Sequence, residues 1–198
     1  ILGLTDDIFS LSFTKRLFFQ VIITSILWKY SFRFSEFDLS FLNFQISNLQ
    51  VNDFVSYTIS LIWVIGVLNA FNWLDGLDGL ASSISLIASF TLMFFCLNIG
   101  NYEIAIILAS ITGCNTGFLP FNRYPAKLLM GDGGSYFIGF TFALFSIMAS
   151  TSTIANQERL SILIPLLIIT IPLMDMFFVI MVRIFNRRSP FVADRNHI

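Results

Sequence analysis

The chain has 198 residues, 56% hydrophobic and 12% charged, with a mean hydropathy of +0.81. Soluble domains carry roughly a quarter charged residues, so this composition excludes a domain that clothes itself for water. A net charge of −1 argues neither for nor against a nucleic-acid partner, and the placement of the charges carries the information instead.

A helix that crosses a bilayer takes about 20 mainly apolar residues. Six stretches approach this length and predict membrane helices: Leu17 to Ser31, Phe54 to Phe71, Leu80 to Leu97, Ile104 to Leu119, Tyr136 to Ser150 and Leu160 to Val182. The first and fifth are short, which leaves tilted or re-entrant forms open. Between the first two, Phe32 to Asn52 interleaves polar residues with Phe, Leu, Ile and Val. Asn43 and Asn48 supply turn chemistry there, so a short β-hairpin at the membrane surface, on the periplasmic side, is expected. The expected fold is all-α and polytopic, one membrane-embedded domain over residues 1–198. With Ile1 at its start and nothing after His197-Ile198, the sequence reads as part of a longer chain. Cys96 and Cys114 fall in apolar runs without metal-ligand spacing and read as reduced packing residues.

Alternating these spans sorts the charges. Lys15, Arg16, Arg123, Lys127, Arg183, Arg187, Arg188 and Arg195 fall on one side, and Lys29, Arg33 and Arg159 on the other. The excess of positive charge assigns the first side to the cytoplasm. Asp6, Asp7, Asp75, Asp78, Asp132 and Asp194 fall on that same side, with Asp175 near the cytoplasmic end of the last span.

Four motifs meet there. Gly3-Leu-Thr-Asp6-Asp7 precedes the first span; adjacent carboxylates repel, and the pair suits Mg²⁺ binding or proton removal from a nucleophile, or simply an acidic cap. Asn69-Ala-Phe-Asn72-Trp-Leu-Asp75-Gly-Leu-Asp78-Gly79 lies between two strongly apolar spans, where ionisable groups are costly and face an interior or an aqueous cavity. Asp75 and Asp78 are three apart, as are Asn69 and Asn72, so each pair would share a helix face. The helix that follows offers N–H groups to an anion. A capped turn alone would not need so many polar side chains.

The third motif runs from Pro120 through Asn122, Pro125 and Lys127 to Met130-Gly-Asp132-Gly-Gly-Ser135. Its glycines allow backbone to approach a phosphate or metal, Asp132 is a candidate Mg²⁺ ligand, and Lys127 a phosphate partner. The fourth is Ser189-Pro-Phe-Val-Ala-Asp194-Arg195-Asn-His197, following Asp175 and Arg183; arginines at a span end are also ordinary anchors, and a terminal His is ordinarily exposed. His197 and Arg195 are candidate phosphate contacts.

In this order and spacing the motifs resemble the polyprenyl-phosphate N-acetylhexosamine-1-phosphate transferase family (glycosyltransferase family 4), over nearly the whole chain. The resemblance implies that a polyprenyl phosphate, undecaprenyl phosphate above all, attacks the β-phosphate of a UDP-N-acetylhexosamine with release of UMP, and that Mg²⁺ or Mn²⁺ serves as cofactor. It implies Asp132 as metal ligand, Asp6 and Asp7 as the pair that handles the lipid phosphate or its proton, and Asn72, Asp75, Asp78 and Asn122 as the lining of the nucleotide–metal site. Asp75 counts there as a second metal ligand and Asp78 as the uracil contact. Lys127, Arg195 and His197 go to the substrate's phosphates or sugar.

The tail resembles the GlcNAc-1-phosphate transferase branch, used for O-antigen, enterobacterial common antigen or teichoic acid linkage. UDP-GlcNAc is therefore the expected donor, with UDP-GalNAc, UDP-QuiNAc or UDP-FucNAc left open, the plasma membrane (the inner membrane where there are two) the expected location, and a homodimer stays open. No nucleic-acid partner is expected. Leu129 stands where the family has an aromatic residue. The competing reading is a cation-coupled transporter, which predicts acidic sites near the bilayer midplane and internal repeats. The acids here cluster at span ends, and no repeat is apparent.

Overall fold

A computed structural model of the chain describes residues 1–34, 36–37, 49–98, 100–151 and 163–187. Its helices are α1 (Leu2–Phe9), α2 (Phe13–Lys29), α3 (Asp53–Leu74), α4 (Leu80–Asn98), α5 (Tyr102–Asn122), α6 (Gly131–Thr151) and α7 (Leu163–Phe185). Two short strands, β1 (Glu36–Phe37) and β2 (Leu49–Gln50), pair antiparallel between α2 and α3. The surface hairpin expected from Phe32 to Asn52 reduces to this two-residue pairing, because its connection falls outside the described residues.

Side chains mark the helix starts. Asn52 caps α3 by accepting the Val55 N–H at 2.9 Å, and Asn101 caps α5 through the Ile104 N–H at 3.2 Å. Asp53 and Glu103 in the first turns complement the helix dipoles. Each of the six apolar stretches coincides with a helix. Of these, α3, α4 and α5 are long and apolar enough, among the described residues, to cross a membrane. The expected count of six is therefore not established: α2 has only 17 residues, and α6 opens on Gly131-Asp132.

α3 is the central element, lying along α6 and also touching α2 and α7, while α4 pairs with α5. Val64, Val67, Leu68, Phe71 and Leu74 of α3 are buried with Phe142, Ala143 and Ile147 of α6, and the Phe71 and Phe142 rings stack 5.2 Å apart. The two backbones come close at Gly139, where an added Cβ would stand 3.0 Å from the Leu68 Cα and 3.1 Å from the Val67 carbonyl oxygen. A larger residue there would have to press them apart. Small polar bonds tie the same helix pairs, as helices in lipid require. The Trp63 indole N–H donates to Ser146 at 2.6 Å, Asn115 to Ser85 at 3.0 Å, and Asn69 to Gln20 at 3.0 Å.

A cavity of about 740 Å³ opens between α5 and α6. Ile107, Ile111 and Phe118 form one wall, Phe137, Ile138 and Phe145 the other, and Met130 and Gly134 its end. Both cysteines are free. Cys96 is a buried packing residue as expected, but Cys114 is exposed onto this cavity.

Replacing Gly139 with Val should cost about 1–3 kcal/mol by forcing the α3–α6 crossing apart. Gly117→Ala, at a position with open space around it, should leave stability unchanged or slightly raised. Thermal denaturation of the two variants in one detergent compares them directly.

Candidate active site

The site forms where five helix ends meet. α1 carries Asp6 and Asp7, α2 starts beside it, α3 ends at Asp75, α5 ends at Asn122, and α6 begins at Gly131 with Asp132 in its first turn. α1 is pressed against α6, so that a Cβ on Gly3 would overlap the Asp132 carbonyl and lie 2.6 Å from the Gly133 Cα.

Asp132 is held from two sides. Its Oδ1 accepts the Asn72 amide at 2.5 Å, and the same amide reaches Ser135 Oγ at 3.1 Å. Its Oδ2 faces the Arg16 guanidinium at 3.9 Å. Arg16 in turn pairs with Asp6 Oδ2 at 3.1 Å, while Asp6 Oδ1 accepts the Leu11 N–H at 2.7 Å. Asp6 is 4% exposed, and these partners supply the hydrogen bonds that a buried carboxylate needs. Asp7 turns the other way and accepts the N–H groups of Asp132 at 2.8 Å and Gly133 at 2.9 Å.

On the nucleotide side of the sequence reading, Asp78 Oδ2 accepts the Ala126 N–H at 2.9 Å and so ties the α3–α4 turn to the segment after α5. Asn122 is 1% exposed; its Oδ1 accepts from Ser82 at 2.7 Å and its amide donates to the Leu128 carbonyl at 3.0 Å. That residue holds the loop carrying Lys127, and Lys127 itself is exposed, as is Leu129. The Arg183 guanidinium of α7 lies 5.5 Å from the Trp73 ring centroid, which sets α7 beside the α3 end. Asp175 is exposed on α7. Arg195 and His197 lie outside the described residues.

The structure thus brings Asp6, Asp7, Asn72 and Asp132 into one network, with Asp75 beside it and Asp78, Asn122 and Lys127 along the neighbouring loop. Arg16 is the member that reading the sequence missed, because it was counted only among the basic anchors. Its place ten residues after Asp6, in the first turn of α2, is the clue the sequence held.

Burial raises the Asp75 carboxyl to about 6; an N–H from Gly131 draws it back, and the charges of Asp132, Asp7 and Asp78 push it further up. Among the described residues no three His, Cys, Asp or Glu side chains are grouped to cage a metal. Two carboxylates with hard oxygen donors suit an ion that takes its remaining ligands from water and substrate phosphates.

Because the Asp75 value lies above that of a free carboxyl, its contribution to stability is full below about pH 4 and is lost as pH rises through about 6. Asp75→Asn should therefore stabilise the metal-free protein at pH 7.5, on the order of 1 kcal/mol given screening at its open side, and change little at pH 4. Circular-dichroism melts in chelator at both pH values test this; equal differences at the two would contradict it.

A family model described as glycosyl transferase family 4 matches residues 1–150. A probable undecaprenyl-phosphate N-acetylglucosaminyl 1-phosphate transferase of Bacillus subtilis (strain 168) is 30% identical over 200 residues, covering 100% of this chain and 53% of that protein. A phospho-N-acetylmuramoyl-pentapeptide-transferase of Clostridioides difficile (strain 630) is 36% identical over 109 residues, 51% of this chain and 34% of that protein. A decaprenyl-phosphate N-acetylglucosaminephosphotransferase of Mycobacterium leprae (strain TN) is 28% identical over 159 residues, 72% of this chain and 40% of that protein. The chain spans about half the length of these relatives or less. With the family match covering the helices that build the site, the chain is a membrane protein belonging to glycosyl transferase family 4.

Proposed function

We propose that the protein transfers an N-acetylhexosamine 1-phosphate from a UDP-sugar to a polyprenyl phosphate, undecaprenyl phosphate in the first instance. An oxygen of the lipid phosphate attacks the β-phosphorus of the UDP-sugar, and the bond from that phosphorus to the oxygen bridging it to the α-phosphate breaks. UMP leaves, and the lipid keeps the sugar on a new diphosphate. The observation that carries the reading is the network of Asp6, Arg16, Asp132 and Asn72 at one end of a bundle of apolar helices.

A Mg²⁺ or Mn²⁺ ion fits Asp132 with Asp75 alongside, and when bound it would neutralise the charge of the diphosphate. The chain's own residues do the rest. Asn72 fixes the Asp132 carboxylate by its amide. Arg16, shared between Asp6 and Asp132, places a planar cation where a lipid phosphate would meet them, a geometry that favours phosphate oxygens. Asp6 stays oriented by Leu11 and Arg16, ready to receive a proton from the lipid phosphate.

Asp78 and the loop with Lys127 take the nucleotide side, and Arg195 and His197 the diphosphate or sugar. The apolar cavity between α5 and α6 ends at Met130 and Gly134, within a turn of Asp132, which suits a substrate with a long apolar chain and a charged head.

The donor is read as UDP-GlcNAc, because the relative matched over 100% of this chain is named for N-acetylglucosamine, whereas muramoyl-pentapeptide enzymes align over 51% to 79% of it. The excess of basic residues at the site end supports a cytoplasmic active face in the plasma membrane. Such a reaction would be the first membrane step of a cell-envelope polysaccharide. A transporter has no support: the acids of the site sit at helix ends, and the family is one of transferases.

The complete protein in nanodiscs, given labelled UDP-GlcNAc, undecaprenyl phosphate and Mg²⁺, should form lipid-linked sugar and UMP in equal amounts. No product with any UDP-N-acetylhexosamine would overturn the reading. Asp132→Asn should lower kcat by at least about 100-fold and Asn72→Ala by about 10–100-fold, as loss of a ligand and of its orienting partner does. Full turnover of Asp132→Asn would remove that residue from the metal site.

A further inference from the structure

Asp6 and Asp7 stand next to each other in sequence but not in function. Consecutive residues on a helix point roughly 100° apart, so the two carboxylates of α1 meet different groups. Asp6 faces α2, through the Leu11 N–H and Arg16. Asp7 faces α6, and each of its oxygens already accepts a backbone N–H, from Asp132 and from Gly133.

The contact is built on both sides. Gly3, one turn before Asp7 and on the same face, lies against the Asp132 carbonyl with no room for a Cβ. Gly131 has φ +69°, in the left-handed region, and a Cβ there would meet both Asp7 oxygens at 3.1 Å. A Cβ on Gly133 would meet Asp7 Oδ2 at 3.2 Å. α1 is thus docked backbone to backbone on the first turn of α6, and Asp7 supplies the acceptors that two otherwise unpaired N–H groups need.

We infer that Asp7 is a positioning residue for Asp132, and that only Asp6 of the pair takes part in the chemistry. Asp7 fixes the backbone of Asp132 from one side while Asn72 fixes its carboxylate from the other. This rests on the reading of Asp132 as a residue of the transfer site. The docking itself can be tested without turnover.

Hydrogen–deuterium exchange on the complete protein in nanodiscs, without metal or substrate, reads the amides of residues 131–135. Asp7→Ala should speed their exchange by roughly tenfold or more, Asp7→Asn by less because its amide keeps one acceptor oxygen, and Asp6→Asn should leave them protected. In turnover, Asp7→Asn should raise the Mg²⁺ concentration for half-maximal rate by about 10–100-fold and keep the wild-type pH profile. Unchanged exchange in both Asp7 variants would overturn the inference. So would an Asp7→Asn protein that loses turnover or its pH profile while its Mg²⁺ requirement stays the same. A wild-type protein without transferase activity would sink the proposed function alone, since the exchange data would still decide where Asp7 acts.

Discussion

Asn72 reaches Asp132 only because α3 and α6 run backbone against backbone along the membrane, with nothing at Gly139 to hold them apart. The crossing lies two turns beyond Asp132, so a separation of an ångström there would reach the site nearly undiminished, each helix being stiff over that length. Packing deep in the apolar part thus sets a hydrogen-bond distance at the polar end. The stacked Phe71 and Phe142 rings and the Trp63–Ser146 bond act on the same interface and in the same sense. Stability of this helix pair and the geometry of the site are one property.

Lipid explains why the polar groups gather as they do. Most hydroxyls and amides inside the bundle are small and bonded to a neighbouring helix or to the carbonyl four residues back, as Thr24 is to the Gln20 carbonyl; Gln20 Nε2 and Tyr136 Oη are the exceptions among the described residues. Carboxylates have no such outlet in hydrocarbon, so those of the site are confined to helix ends, where N–H groups, arginine and water can meet them. Confinement to one end brings Asp6, Asp7, Asp75 and Asp132 close enough to repel. Burial first, and then the repulsion of Asp132, Asp7 and Asp78, raise the Asp75 carboxyl. A bound cation would offset both, so an acidic cluster of this kind suits a charged ligand.

The legible part of the fold was the part written in hydropathy. All six apolar stretches are helices, and the Asp-rich turns fall at the ends where the alternation of spans put them. Hydropathy does not say how far a helix extends into polar flanks, so neither α1 nor the helical first turn of α6 could be read from it. Spacing brought Asn72 and Asp132 to one face but could not say that they bond. It could not separate Asn122, whose amide is consumed by Ser82 and Leu128, from residues with free polar atoms. Arg16 was hidden by its neighbour Lys15: two basic residues at the start of a span look like anchors, and only the chain's turn at Leu11 aims one of them at Asp6.

The Asp6-Asp7 pair shows where residue order and geometry part. In sequence, two adjacent carboxylates suggest a shared task, a metal clamp or an acid and its base. On a helix they are neighbours along the chain and strangers in direction, and each inherits the partner its face meets. Asp6 meets α2 and with it the Arg16 cation, which lies within 3.9 Å of both carboxylates. Asp7 meets the start of α6 and is held there by two N–H donors that a substrate would have to displace. With both oxygens engaged by backbone, the Asp7 carboxylate sits at the positive end of α6, where it fixes the first turn that carries Asp132.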